Sequence, residues 1–268
     1  DNMGMFSIRT SPCFEIDDVS NNKYKYIKSL AQKKIRQKNG EYTVEGIKSV
    51  SDALTAGKKL TGVCVSDKFF ENEFFVYPDN VPLYKLPEDI FVKICDTKTP
   101  QGIMAVVKTD DMSNAMPKLM ESYIYCDCVS DPGNLGTIIR TADAAGFKGV
   151  FLSEGCADAY SPKTVRASMG SFFHIDIVTD FSCEKLKACK KQGFSIFAGA
   201  LDENTVDYRC VDMTVPTIIA VGNEANGVSS EVRELCRCVK IPILGKAESL
   251  NVGVAAALLM YELVRQRT

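Results

Sequence analysis

The feature that most limits what this chain can fold into is a succession of short, almost unbroken apolar runs in its second half. They fall at residues 122–129, 149–152, 172–178, 194–198, 217–221 and 238–241, with helical patterns at 133–145, 161–169, 182–192, 229–236 and 250–266. A strand that is apolar on both faces has to be covered on both faces, which is the situation of a parallel sheet between layers of helices. The second half therefore predicts an α/β fold around a parallel sheet. Its last helical stretch, 250–264, is apolar almost all round, which predicts burial rather than a half-exposed helix. Gly253, Ala255, Ala256 and Ala257 would let another backbone approach it closely. Lys246, Glu248, Ser249 and Asn251 crowd the turn before it, and polar groups there make a poor core but a plausible site. The helix N-terminus adds unpaired N–H groups at the same place.

The first half repeats the α/β alternation on a smaller scale. Strands are expected at 41–44, 60–65, 74–76 and 101–107, and helices at 46–56 (closed by Gly57) and 87–94. A polar stretch at 109–117 with Pro117 reads as a connection. The domain division is thus 1–108, a linker over 109–120, and 121–268, which suits a chain of 268 residues. Between Val19 and Gly40 there is no acidic residue, but Lys23, Lys25, Lys28, Lys33, Lys34, Arg36 and Lys38 interleave with tyrosines and aliphatics. Ser20 or Asn21 is placed to cap a helix there. One reading is a solvated helix face. The other is a surface that tracks phosphates, with Lys23, Lys28, Lys33, Lys34 and Arg36 as RNA contacts.

The net charge of −2 gives no global attraction to nucleic acid, so any such binding has to come from a local patch. Eleven cysteines form no C-x-x-C pair, and their odd number reads as reduced thiols of a cytoplasmic protein rather than a disulfide framework. His174 is the single histidine, which leaves neither a metal cluster nor a conventional histidine triad to build. No apolar run has the ~20 residues of a membrane span.

Three polar, glycine-bearing loops follow three of the apolar strands. The first is DPGNLGTIIRTADAAGF from Asp131. Asp131 can cap, Pro132 suits a first helical position, and Leu135, Ile138, Ile139 and Ala142 make a core stripe that needs neither Asn134 nor Arg140. The second is VGNEANGVS, with Glu224 between Gly222 and Gly227. The third is IPILGKAESLNVGVAAALLMYE. Neither G-x-G-x-x-G nor G-x-x-x-x-G-K-[ST] occurs, which disfavours dehydrogenase and P-loop chemistry.

In order and wording these three segments resemble the motifs of the SpoU/TrmH family of RNA 2′-O-ribose methyltransferases, over residues from about 122 to the end. The first half looks, more loosely, like the small substrate-binding domain of rRNA-directed members. The resemblance implies a deep trefoil knot in the carboxyl-terminal domain, a homodimer that uses the last helix, and S-adenosylmethionine as cofactor. Gly222, Ile241, Ile243 and Leu250 would line the cofactor pocket, and Asn134, Arg140, Glu224, Ser249 and Asn251 would form the catalytic set. Arg140 is the family's position for activating the ribose hydroxyl. A guanidinium with a pKa above ~12 is a poor base, so stabilising the alkoxide and gripping a phosphate suit it better. Ribosomal RNA is the expected substrate, ahead of tRNA, with no metal and no membrane involved. The alternative is an RNA-binding or ribosome-assembly protein that keeps the fold without the catalysis. Gly253 stands where many relatives carry Ser.

Overall fold

The computed structural model describes residues 11–200 and 205–268. Residues 1–10, counted above with the first domain, lie outside the described residues. The chain divides into two compact units. One runs as far as Asp110 and takes in Tyr160–Pro162; the other comprises Asp111–Ala159 and Lys163–Thr268.

The first unit contains β1 (Cys13–Glu15), α1 (Asn22–Ser29), α2 (Lys33–Asn39), β2 (Glu41–Glu45), α3 (Ile47–Thr55), β3 (Leu60–Ser66), α4 (Asp67–Asn72), β4 (Leu83–Leu86), α5 (Glu88–Ile94) and β5 (Ile103–Lys108). Its five strands lie in the order β1-β4-β3-β5-β2, with β5 antiparallel to both neighbours. Tyr24 and Ile27 from α1 and Leu30 just after it, with Ile90 and Phe91 from α5, are buried against Cys64, Met104 and Val106 of the sheet. The expected strand at 74–76 does not form. Phe74 and Val76 are 87% and 73% exposed, while the alternate ring of Phe75 packs on Tyr77 at 5.3 Å. Those aromatics serve a local cluster, and Leu83–Leu86 takes the place between β1 and β3 instead.

The basic stretch is two helices rather than one. The Asn21 side chain caps α1 by accepting from the backbone N–H of Lys23 at 2.8 Å. After Leu30 the chain turns before α2, and the Arg36 guanidinium donates to the carbonyls of Leu30 and Ala31 at 2.6 and 2.7 Å. Arg36 is 5% exposed. It closes the end of α1 and is withdrawn from the RNA contacts expected above, because a guanidinium donating to main-chain carbonyls in the interior is not presented to phosphate.

The second unit contains β6 (Tyr123–Cys126), α6 (Pro132–Ala144), β7 (Gly149–Leu152), α7 (Pro162–Ala167), β8 (Asp176–Val178), α8 (Cys183–Lys191), β9 (Ser195–Gly199), β10 (Val206–Asp207), β11 (Thr217–Val221), α9 (Ser230–Leu235), β12 (Arg237–Lys240) and α10 (Val252–Arg267). The seven strands run in the order β10-β12-β9-β11-β6-β7-β8, all parallel. The expected strand at 172–178 is halved, because a short 3-10 turn at Ser171–Phe173 buries Phe172 and Phe173 before β8 begins. Within the core, Phe151 stacks on Tyr123 at 4.9 Å and on Phe181 at 4.2 Å. The stretch read as a linker is drawn onto this unit: Met112 and Ala115 pack on its core, and the Ser113 carbonyl accepts from Lys185 at 3.0 Å.

The last helix is buried on one face only. Val252, Ala256, Leu259, Met260 and Leu263 point inward, whereas Val254, Leu258 and Tyr261 are 49%, 39% and 50% exposed. All-round apolarity foretold complete burial, but within one chain α6 and the sheet cover a single side. The helix end is fastened by side chains. Gln266 accepts from the Met213 N–H and donates to the Val211 carbonyl at 2.8 and 3.0 Å. Arg267 donates to Ser122 Oγ at 2.6 Å and to the Val215 carbonyl at 2.7 Å. No helix among the described residues is long and apolar enough to cross a membrane.

Candidate active site

Because every strand of the second sheet points the same way, the chain leaves β6, β11 and β12 at one common edge. That edge, at the carboxyl ends of the strands, is where open parallel sheets form their ligand crevices. The three loops singled out in the sequence start there, at residues 127, 222 and 241.

The first loop turns into α6 at Asp131, whose side chain accepts from the Asn134 N–H at 2.8 Å. That hydrogen bond is the main reason the Asp131 carboxyl sits below its usual pKa range. The second loop closes on itself. Asn223 and Gly227 exchange both of their backbone hydrogen bonds at 2.9 Å, and the Asn223 Oδ1 accepts from Ala225 and Asn226. Gly222 is required there, since a Cβ would fall into the Gly227–Val228 peptide. The third loop ends at Asn251, whose Oδ1 caps α10 by accepting from Gly253 at 2.9 Å.

Side chains tie the loops together. The Glu224 carboxylate accepts from Ser130 N at 3.1 Å, Ser130 Oγ at 2.9 Å, Asp131 N at 3.1 Å and Asn134 Nδ2 at 2.9 Å. Asn134 Oδ1 in turn accepts from Asn251 Nδ2 at 2.9 Å. Asn251, Asn134 and Glu224 thus form one relay across all three loops. Partial burial pushes the Glu224 carboxyl upward, but donation from Asn134, Ser130 and Asp131 outweighs it and holds the pKa at about 2. A carboxylate so weakly basic cannot take a proton near neutrality, so its chemistry is to accept hydrogen bonds and fix geometry.

The other expected site residues differ in their surroundings. Arg140 lies six positions beyond Asn134 on α6, about 9 Å along the axis. It is exposed, and its side chain makes no hydrogen bond or ion pair among the described residues. Ser249 is exposed two residues before Asn251. Ile243 and Leu250 are each 37% exposed, and Ile241 is half-buried. Between residues 241 and 250 the main chain makes no backbone–backbone hydrogen bond among the described residues. In the first unit Lys28, Lys33 and Lys34 are exposed, and Lys23 is half-buried with Nζ 5.1 and 5.2 Å from the Tyr26 and Tyr84 ring centres.

The sequence reading missed Ser130 and Asn223. Asn223 holds the first loop by donating to the Cys128 carbonyl at 2.9 Å, and Cys128 adopts the left-handed conformation at φ 56°. Their signal was position: each is a polar residue just past the end of an apolar strand.

The chain matches known proteins along nearly its whole length. Residues 121–261 match the SpoU rRNA methylase family, and residues 21–105 match an MRM3-like substrate binding domain. It is 37% identical over 253 residues to the 23S rRNA (guanosine(2553)-2′-O)-methyltransferase RlmP of Bacillus subtilis, covering 93% of this chain and 98% of that protein. The AdoMet-bound rRNA methyltransferase from Sinorhizobium meliloti superposes with a TM-score of 0.83 at 32% identity, over 96% of this chain and 99% of the other. The SpoU methyltransferase AviRb from Streptomyces viridochromogenes, solved with AdoMet, superposes with a TM-score of 0.83 at 28% identity, over 92% and 98% of the two chains. With its three loops joined at the carboxyl edge of a parallel sheet and these matches across both halves, the chain belongs to the SpoU rRNA methylase family.

Proposed function

We propose that this protein is an S-adenosylmethionine-dependent methyltransferase that modifies a ribose 2′-hydroxyl of ribosomal RNA in the cytoplasm. The observation that carries the reading is the Asn251–Asn134–Glu224 relay, which binds three separate loops into one constellation. Relatives named as 23S rRNA 2′-O-methyltransferases support the substrate class.

The residues present fit an adenosyl group. The main chain at 241–250 has uncommitted N–H and C=O groups, and Ile243 and Leu250 offer aliphatic surface beside them. Such a lining suits a flat ring that is hydrogen-bonded at its edge and packed on its faces. Gly222 allows the second loop to close tightly beside it. A bound cofactor would supply a sulfonium methyl, the 2′-oxygen gaining the carbon, the sulfur keeping the electron pair, and the hydroxyl proton passing to solvent water.

The chain's own residues then orient and stabilise. Glu224 holds Asn134, and Asn134 holds Asn251, so that the ribose meets fixed amides and Ser249 lies alongside. Arg140, uncommitted on α6, stabilises the developing alkoxide and the adjacent phosphate. Much of the acceleration comes from alignment of the 2′-oxygen with the methyl carbon. In the same reading, the return of the chain from β12 to Asn134 is the crossing of a trefoil knot, and the exposed stripe of α10 meets a second copy of the chain.

The test uses purified protein, methyl-labelled S-adenosylmethionine and 23S rRNA transcripts, with mapping of 2′-O-methyl nucleotides. The expected result is one labelled ribose position, with transfer reduced at least about a hundredfold by Arg140→Ala. Undiminished transfer by that variant would remove Arg140 from the site. Absence of cofactor binding by calorimetry would overturn the whole reading and favour an RNA-binding protein without catalysis.

A further inference from the structure

We infer that the edge of the first unit's sheet carries a stacking platform for an unpaired RNA base, formed by Phe14 and Tyr84 with Lys23 as its cation. This rests on the RNA reading above and goes beyond it, because it assigns the contact to aromatic rings outside the basic run. Phe14 lies on β1, the edge strand, in register with Tyr84 on β4. Their ring centres are 5.8 Å apart with planes 26° from parallel, and Phe14 remains 50% exposed. The Lys23 Nζ sits 5.2 Å from the Tyr84 ring centre and 5.1 Å from that of Tyr26. The Tyr26 hydroxyl is held by Glu41.

A single exposed phenylalanine needs no explanation, but this one belongs to an ordered stack. Burial against the core ends at Ile16, whose backbone N–H donates to the Lys85 carbonyl at 2.9 Å. Beside it Tyr84 is partly buried against that core, whereas Phe14, one strand further out on β1, is left half exposed. A ring stacked on one neighbour and open on its other side offers a π-face to a further flat ring, and bases accept such a partner whatever their sequence. The cation selects a nucleic acid over an apolar peptide. Lys23, whose Nζ lies over the Tyr84 ring, is the cation beside the stack, so a strand whose base lies on Phe14 has a phosphate partner in Lys23. The platform binds single-stranded RNA rather than duplex, because only an unpaired base can be presented flat to it.

The chain contains no tryptophan, which makes a direct test available. In full-length Phe14→Trp the indole is the sole tryptophan fluorophore. Titration with a single-stranded oligoribonucleotide is expected to quench it by base stacking, with affinity equal to or above that of the unchanged protein. Phe14→Leu keeps an apolar side chain but no π-face, and should lose affinity about fivefold or more. Cofactor affinity should be unchanged in both. RNA binding by gel shift without quenching, and with unaltered affinity in Phe14→Leu, overturns the platform while leaving the methyltransferase reading intact. An oligonucleotide that fails to bind even the unchanged protein, together with no methyl transfer to rRNA, overturns both. Quenching by an apolar peptide but not by RNA reassigns the surface to a protein partner and also refutes the proposal.

Discussion

Glu224 owes its character to four donors on the first loop and the start of α6, and the direction of its pKa shift yields a prediction. Its folded value of about 2 lies below the ordinary 4.5, so the carboxylate form is favoured in the folded protein. The resulting stability is fully present above about pH 4.5 and is lost as pH falls through about 2. In Glu224→Gln the amide keeps one acceptor oxygen and sets its NH2 against one of the two donor pairs, Ser130 N and Oγ or Asp131 N and Asn134 Nδ2. Urea denaturation should find the variant less stable at neutral pH, and the gap to the unchanged protein should narrow steadily as the pH is lowered from about 5 towards 2. Methyl transfer should drop at least about tenfold with the shape of its neutral pH profile preserved, since a group with this pKa is a positioning residue and not the base. A profile that loses a neutral ionisation would contradict that role. The residue itself was legible in the sequence, as a lone charge between two glycines after an apolar strand. Its surroundings were less so: Ser130, which donates to it, and Asn223, which donates to Ser130, are ordinary loop residues until the fold brings positions more than 90 apart together.

Among the elements, the basic stretch teaches the most. Charge pattern alone lists Arg36 with its lysine neighbours, yet the break after Leu30 turns it into the closure of α1. Two variants separate these roles. Arg36→Ala should lower stability by about 1–3 kcal/mol in urea denaturation, because carbonyls of a half-buried helix end lose a charged donor. In the folded protein it should leave the salt dependence of RNA binding unchanged. Lys33→Glu with Lys34→Glu should do the reverse, weakening RNA binding and flattening its dependence on salt at nearly constant stability. The strand expected at 74–76 failed for a related reason: alternation marks residues that can pair, while pairing needs a free neighbouring edge. Leu83–Leu86 holds that edge between β1 and β3. By contrast α6 follows its sequence closely, because cap, first-turn proline and core stripe all lie within one local stretch.

For the whole molecule, α10 joins the active-site edge to an exposed apolar stripe. Its inner face packs on α6 while Val254, Leu258 and Tyr261 face outward on one stripe. Apolar side chains in that array favour a second apolar surface over water. Sedimentation should find a dimer for the unchanged protein and a monomer for Leu258→Asp with Tyr261→Asp, and a double variant that stays dimeric would put the interface elsewhere. The sequence by itself determined the parallel α/β class, the three loops and the caps that open α1 and α6, because apolar periodicity and capping act between residues close in the chain. Only the tertiary structure decided that Glu224, Asn134 and Asn251 share one relay, that Arg36 faces inward, and that half of the last helix is left uncovered. Those outcomes depend on strand order, which sets which distant loops emerge side by side and which faces find a partner, and no local pattern encodes it.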